Sequence, residues 1–141
     1  MRLLVFLLLS FTFLNVSAGQ WYIEKIKDTF QLSISKNSKS HSYFVASEGG
    51  TPKFVEEKSL NEKYLQVIYF AGTAGSSQPI DIYRSLVLDK TTMKLVKDLP
   101  YKYEPSKGTT YKPTQPVWKI EKSKLTVTDK ENASNFTISL K

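Results

Sequence analysis

Phe30-Gln31-Leu32-Ser33-Ile34-Ser35 alternates apolar and polar side chains without a break, and Phe136-Thr137-Ile138-Ser139-Leu140 repeats the rhythm near the other end. Successive side chains on a strand point to opposite faces, so a period of two marks a strand with one buried face. Working outward from the first stretch, Trp21-Tyr22-Ile23 with Ile26 reads as an opening strand. Lys36-Asn37-Ser38-Lys39-Ser40 reads as a turn, and His41 to Ala46, with Tyr43, Phe44 and Val45, as the return strand. Glu48-Gly49-Gly50-Thr51-Pro52 is a second turn.

Lys53 to Lys58 is ambiguous: Phe54 and Val55 fit a short strand, while Ser59 to Tyr64 is the one candidate for a helical turn. Tyr64 to Ala71 is almost continuously apolar and rich in aromatic and β-branched residues, the composition of a central strand. Ile80 to Leu88 and a return through Met93 and Leu95 make a hairpin around Asp89-Lys90-Thr91-Thr92, ended by Asp98-Leu99-Pro100. Val117 to Glu121 and Lys124 to Thr128 make another around Lys122-Ser123. The sum is an all-β chain, a small and mainly antiparallel sandwich or barrel of about eight strands.

The first residues have a different character. Met1-Arg2 gives a positive start, Leu3 to Leu9 an apolar middle, and Val16-Ser17-Ala18 a small-residue exit. That is the pattern of a secretory signal peptide over 1–18, leaving 19–141 as a single β domain with 100–116 as one long loop. The domain contains no cysteine, so its core has to hold without disulfides. An exported cysteine-free chain points to a bacterial periplasmic or extracellular protein. After processing it has no apolar run long enough for a stable transmembrane segment. Asn132-Ala133-Ser134 and Asn135-Phe136-Thr137 match the glycosylation triplet, which carries no glycan in a bacterial host.

The formal net charge is +7, and apart from Arg2 the only arginine is Arg84. Lysine is a hydrated point charge without the planar fork that reads base edges, so nucleic acid is a poor candidate partner. A solvated lysine surface, with some attraction to acidic partners, accounts for the balance. Without cysteine there is no thiol nucleophile or thiolate metal site, and His41 alone cannot build a histidine-rich zinc site. A Gly-x-Ser-x-Gly elbow is missing. Glu56 and Glu57 are adjacent and face opposite sides of a strand, while Asp28, Asp81, Asp89, Asp98 and Asp129 sit mostly at strand ends, where turns use aspartate. Gly72 to Pro79 lacks the lysine-hydroxyl ending of a phosphate loop and reads as a connection. No cofactor or metal is expected, and catalysis is disfavoured.

The segment 100–116 is the strongest candidate for recognition. Tyr101, Tyr103 and Tyr111 interleave with Lys102, Lys107 and Lys112, and four prolines hold the segment extended. Tyrosine gives a rigid apolar ring and a hydroxyl at small entropic cost, and nearby lysine favours an acidic partner. The same tyrosines could instead pack over the end of the β domain, leaving only the lysines exposed. Trp21 and Trp118 offer stacking faces, although strand tryptophans are ordinarily core. The reading is an exported, non-catalytic binding module for a protein or a cell-envelope polymer, an enzyme inhibitor being one version. The alternatives are an assembly component pairing through edge strands, and a small glycoside hydrolase using a carboxylate pair.

Overall fold

The computed structural model describes residues 19–36 and 38–141, so the expected signal peptide lies outside the described residues. Three antiparallel meanders follow one another along the chain. The N-terminal sheet contains β1 (Trp21–Ile26), β2 (Thr29–Lys36) and β3 (Lys39–Val45). The central sheet contains β4 (Lys53–Ser59), β5 (Tyr64–Ala74), β6 (Ile80–Asp89) and β7 (Leu95–Pro105). The C-terminal sheet contains β8 (Val117–Glu121), β9 (Lys124–Asp129) and β10 (Ser134–Ser139), with β9 in the middle. The chain is all-β and antiparallel, as its patterning requires. It is neither the expected eight-stranded sandwich nor a barrel: ten strands are divided among three sheets, and among the described residues none closes on itself.

The central sheet explains the division. On β5, Leu65, Val67, Tyr69 and Ala71 join a core with Trp21, Leu32, Ile34 and Tyr43 of the N-terminal sheet. Tyr64 points the other way, into a core with Leu99, Leu125, Val127 and Leu140. The neighbouring β6 splits likewise, Leu86 and Leu88 entering the first core and Val87 the second. Strand side chains alternate, so these two cores lie on opposite faces of one sheet. The near-continuous apolar run of Tyr64 to Phe70 is the consequence: both of its faces are covered. A full burial such as that of Leu86, Leu99 or Leu125 contributes about 1.5–3 kcal/mol.

The alternating stretches behave as expected. Leu32 and Ile34 are buried, Phe30 is half-buried, and Phe136, Ile138 and Leu140 belong to or pack against the second core. Tyr43 anchors the N-terminal sheet further by donating its hydroxyl to the carbonyl of Met93 in the β6–β7 turn.

One ambiguity is resolved and two expectations need correction. Lys53 to Lys58 belongs to a strand, β4, whose register shifts between Phe54 and Glu56; the bulge leaves Val55 outside and masks the period of two. No helix forms at Ser59–Tyr64, because the Asn61 side-chain oxygen accepts the amides of Lys63 and Tyr64 and closes a turn instead. The loop expected over 100–116 begins only after Pro105. Strand β7 runs on through Pro100, which faces Arg84 beside a register shift on the edge of the sheet, where a missing amide proton is tolerated.

Glycines Gly49 and Gly72 mark a close crossing of backbones. At Gly72, φ is 138° and a Cβ would lie 2.5 Å from the Glu48 carbonyl oxygen; Gly49 would meet Thr73 in the same way at 2.3 Å. The glycine-rich continuation of β5 therefore serves packing. No helix among the described residues is long and apolar enough to cross a membrane.

Candidate binding groove

Strand β7 and the loop after it hold all six residues expected to mediate recognition, but they divide into unlike groups. Tyr101, Lys102 and Tyr103 lie on the strand, whereas Lys107, Tyr111 and Lys112 lie on the loop.

Tyr101 is the best placed of the first group. It is half-buried and meets Trp118 of β8 nearly edge-on, with centroids 6.1 Å apart and planes at 76°. The Lys58 ammonium lies 4.8 Å from the Tyr101 centroid and donates to its hydroxyl. Trp118 is fixed at its polar end, where the indole N–H donates to the Pro100 carbonyl at 2.9 Å. The two rings line an open groove of about 500 Å³ together with Lys102, Tyr103, Glu104, Gln115 and Pro116. Gln115 stands in for a neighbouring strand: its side-chain oxygen accepts the Tyr103 amide at 2.9 Å, and its Nε2 donates to the Tyr103 carbonyl at 2.6 Å.

Lys102 lines the same groove. Its ammonium pairs with Glu104 at 2.6 Å and lies 4.6 Å from the Tyr83 ring centroid. The Glu104 carboxylate holds the Lys102 ammonium above the ordinary lysine value.

Tyr103 has a different fate. It is only 3% exposed, its hydroxyl donates to the Asp129 carboxylate at 2.6 Å, and Asn132 Nδ2 donates to that hydroxyl at 2.8 Å. Asn132 also reaches the Asp129 carboxylate at 2.9 Å. Burial, followed by the Asp129 bond, raises the Tyr103 phenol well above its usual range. Its ring and hydroxyl are thus committed inward, because β7 passes beside the β9–β10 turn and needs a donor for the buried Asp129.

The loop group is ordered by two acceptors. The Gln78 side-chain oxygen accepts the amides of Thr110 and Tyr111 at 3.2 and 3.1 Å, and the Thr109 hydroxyl as well. The Glu131 carboxylate accepts the Tyr111 hydroxyl, and the Thr114 amide at 2.8 Å. That bond raises the Tyr111 phenol. Tyr111 remains 42% exposed and lines a separate open depression of about 430 Å³ with Ile80, Gln78 and Glu131. Lys107 and Lys112 are exposed beside it.

Sequence reading missed two contributors. A strand tryptophan such as Trp118 reads first as core, and Lys58 has no visible link to a segment more than forty positions later. The five expected turn aspartates are likewise not all turn residues. Asp98 accepts Arg84 Nε at 3.0 Å and the Tyr69 hydroxyl at 2.7 Å, and Tyr69 also accepts the Ala46 amide at 3.1 Å. Burial outweighs the attraction of Arg84 and raises the Asp98 carboxyl, while Asp98 keeps the Arg84 guanidinium firmly charged. No cluster of three or more metal-ligating side chains occurs among the described residues.

Against known proteins, the chain matches no family model, no curated protein and no solved structure.

Proposed function

We propose that the protein is an exported, non-catalytic binding module that takes an extended acidic polymer or peptide segment across the Tyr101–Trp118 groove. The observation that carries this reading is the edge-on Tyr101–Trp118 pair on an open groove, with Lys58 over the Tyr101 ring and the Lys102–Glu104 ion pair in the lining. Aromatic rings give contact area with little ordering cost, and lysines add attraction for negative charge. An open groove suits a chain passing through it better than a small molecule, which needs enclosure. Pre-organisation supports the same reading, since Gln115 and the Trp118 indole are already bonded in place. Buried and half-buried carboxylates also favour binding over hydrolysis, because Asp98 and Asp129 are engaged by Arg84, Tyr69, Tyr103 and Asn132. Export rests on the leader pattern of residues 1–18.

The test uses Tyr101→Ala and Trp118→Phe in a pull-down from envelope extract and in titrations with acidic peptides and acidic polysaccharides. Tyr101→Ala is expected to weaken capture by about tenfold or more, the loss typical of a central aromatic contact. Trp118→Phe keeps the packing and should weaken it less. Full capture by both variants, with unchanged melting curves, would remove the groove as the binding site.

A further inference from the structure

At a margin of the N-terminal core, the adjoining ends of β2 and β3 and the β6–β7 turn line a cavity of about 400 Å³. Lys36, Lys39 and His41 line it from the N-terminal sheet, and Lys90, Thr91 and Thr92 from the turn. Lys36 and Lys39 are direct cross-strand partners, as are Ile34 and His41. Cross-strand partners share a face, and positions 34 and 36 share parity. Ile34 is core, at 3% exposure. Both lysines and His41 therefore stand on the core-facing side of the sheet, just beyond its last apolar layer.

Two like charges directly opposed across a strand pair destabilise the pair. The opposing wall brings another cation. Lys90 is pinned by donating to Ser59 Oγ at 2.7 Å and to the Asn61 carbonyl at 2.6 Å, which fixes its charge in place. No carboxylate belongs to the lining among the described residues. The neighbouring Asp89 carboxylate is engaged by the amides of Thr91 and Thr92 at 2.8 and 2.9 Å. The turn itself is held rigid by Met93, whose amide donates to the Asp89 carbonyl at 2.8 Å and whose carbonyl takes the Tyr43 hydroxyl.

We propose that this cavity binds a phosphate or sulfate group, separately from the aromatic groove. Lys36 and Lys39 line it as a directly opposed pair at the ends of β2 and β3, Lys90 belongs to the facing wall, and threonine hydroxyls add neutral donors. Lysine binds phosphate as a compact point charge, and a tetrahedral oxyanion accepts donors from several directions at once. An anion would turn the Lys36–Lys39 repulsion into shared attraction.

The experiment is an amide NMR titration of the protein with inorganic phosphate, inorganic sulfate and a phosphorylated sugar, at ionic strength held constant with chloride. Saturable shifts are expected at Lys36, Lys39, His41, Thr91, Thr92 and Met93. Tighter binding of the sugar phosphate than of inorganic phosphate assigns the site to an ester on a larger ligand, and equal binding assigns it to the free oxyanion. Lys36→Gln with Lys39→Gln should weaken affinity by about tenfold or more, while its melting temperature stays level or rises because the repulsion is gone. Lys107→Gln with Lys112→Gln should bind as the parent does. Shifts that rise linearly without saturation, that spread over lysines across the surface, or that survive the Lys36/Lys39 double substitution would overturn the proposal.

Discussion

Replacing Tyr103 by phenylalanine separates the two roles that a tyrosine-rich segment can play. The substitution keeps the ring and its packing and removes one hydroxyl. That hydroxyl donates to Asp129 at 2.6 Å and accepts from Asn132 at 2.8 Å. Asp129 is only 2% exposed, so water cannot replace the lost donor without opening the structure. Asp129 keeps Asn132 Nδ2 at 2.9 Å and a longer bond from the Asn132 amide at 3.4 Å. A hydrogen bond to a charged group is worth about 1.5–3 kcal/mol, and a buried carboxylate stripped of its shortest donor loses an amount in that range.

The expected cost is therefore about 2 kcal/mol. For a domain of this size that lowers the melting temperature by roughly 8 °C and moves the urea midpoint without changing the slope. Thermal and urea melts read by near-ultraviolet circular dichroism supply the measurement. Well below the transition, Tyr103→Phe should bind groove ligands as the parent does, while Tyr101→Ala should not. A melting temperature within about 1 °C of the parent would show that the phenol–carboxylate bond contributes nothing, and the structural account of Tyr103 would fail. Lost binding with unchanged stability would reverse the assignment of roles.

Two other outcomes follow from the same geometry. Burial raises the phenols of Tyr43, Tyr69 and Tyr103 above their ordinary value of 10.0. A group raised by folding contributes stability that is complete below its unfolded value and is lost as pH rises toward its folded value. Stability should thus fall as pH climbs above 10, with these phenols ionising late and together with unfolding in tyrosinate difference absorbance; Tyr69→Phe should flatten that decline. At the backbone crossing, Gly72→Ala meets both a φ of 138° and a carbonyl oxygen 2.5 Å from the new Cβ, so a loss of about 3 kcal/mol or more is expected. Gly108→Ala, with φ of 87° and nothing within 4 Å, should cost about 1 kcal/mol, and equal costs in denaturant melts would discredit the crossing argument.

What sequence reading could recover depended on how local the physics was. Phe30 to Ser35, Ile80 to Leu88 and the Lys122-Ser123 hairpin announce themselves because period and turn chemistry lie within ten residues. Strand β4 hid behind a bulge at Phe54–Glu56, since one extra residue reverses the facing of everything beyond it. Strand β7 hid behind Pro100, because proline argues against a strand only where its amide is needed. The groove was half legible. Tyr101 and Lys102 carry the aromatic-basic signature, yet nothing local distinguishes Tyr101 at the surface from Tyr103 in the interior. That difference is made by Asp129 and Asn132, which arrive from a turn in another sheet.

The three-sheet plan also bears on self-assembly through strand edges. Open edges are templates for pairing, and proteins blunt them with charge, proline and bulges. Strand β4 carries a bulge and the consecutive Glu56, Glu57 and Lys58. The outer edge of β7 carries Pro100 and is covered at Tyr103 by the Gln115 amide and at Pro100 by the Trp118 indole. Both edges of the central sheet are thereby guarded, and the residues guarding β7 are the ones that shape the groove. Edge protection and the proposed recognition would use the same side chains there, so a ligand in the groove would contact a sheet margin already closed to another strand. The less guarded margins are β3, where Phe44 is 67% exposed, and β8, where Val117 is 58% exposed. If copies of this chain associate, the physics of unprotected edges directs them to β3, away from the groove, or to β8, whose Trp118 is a groove wall, so that pairing there would compete with a groove ligand.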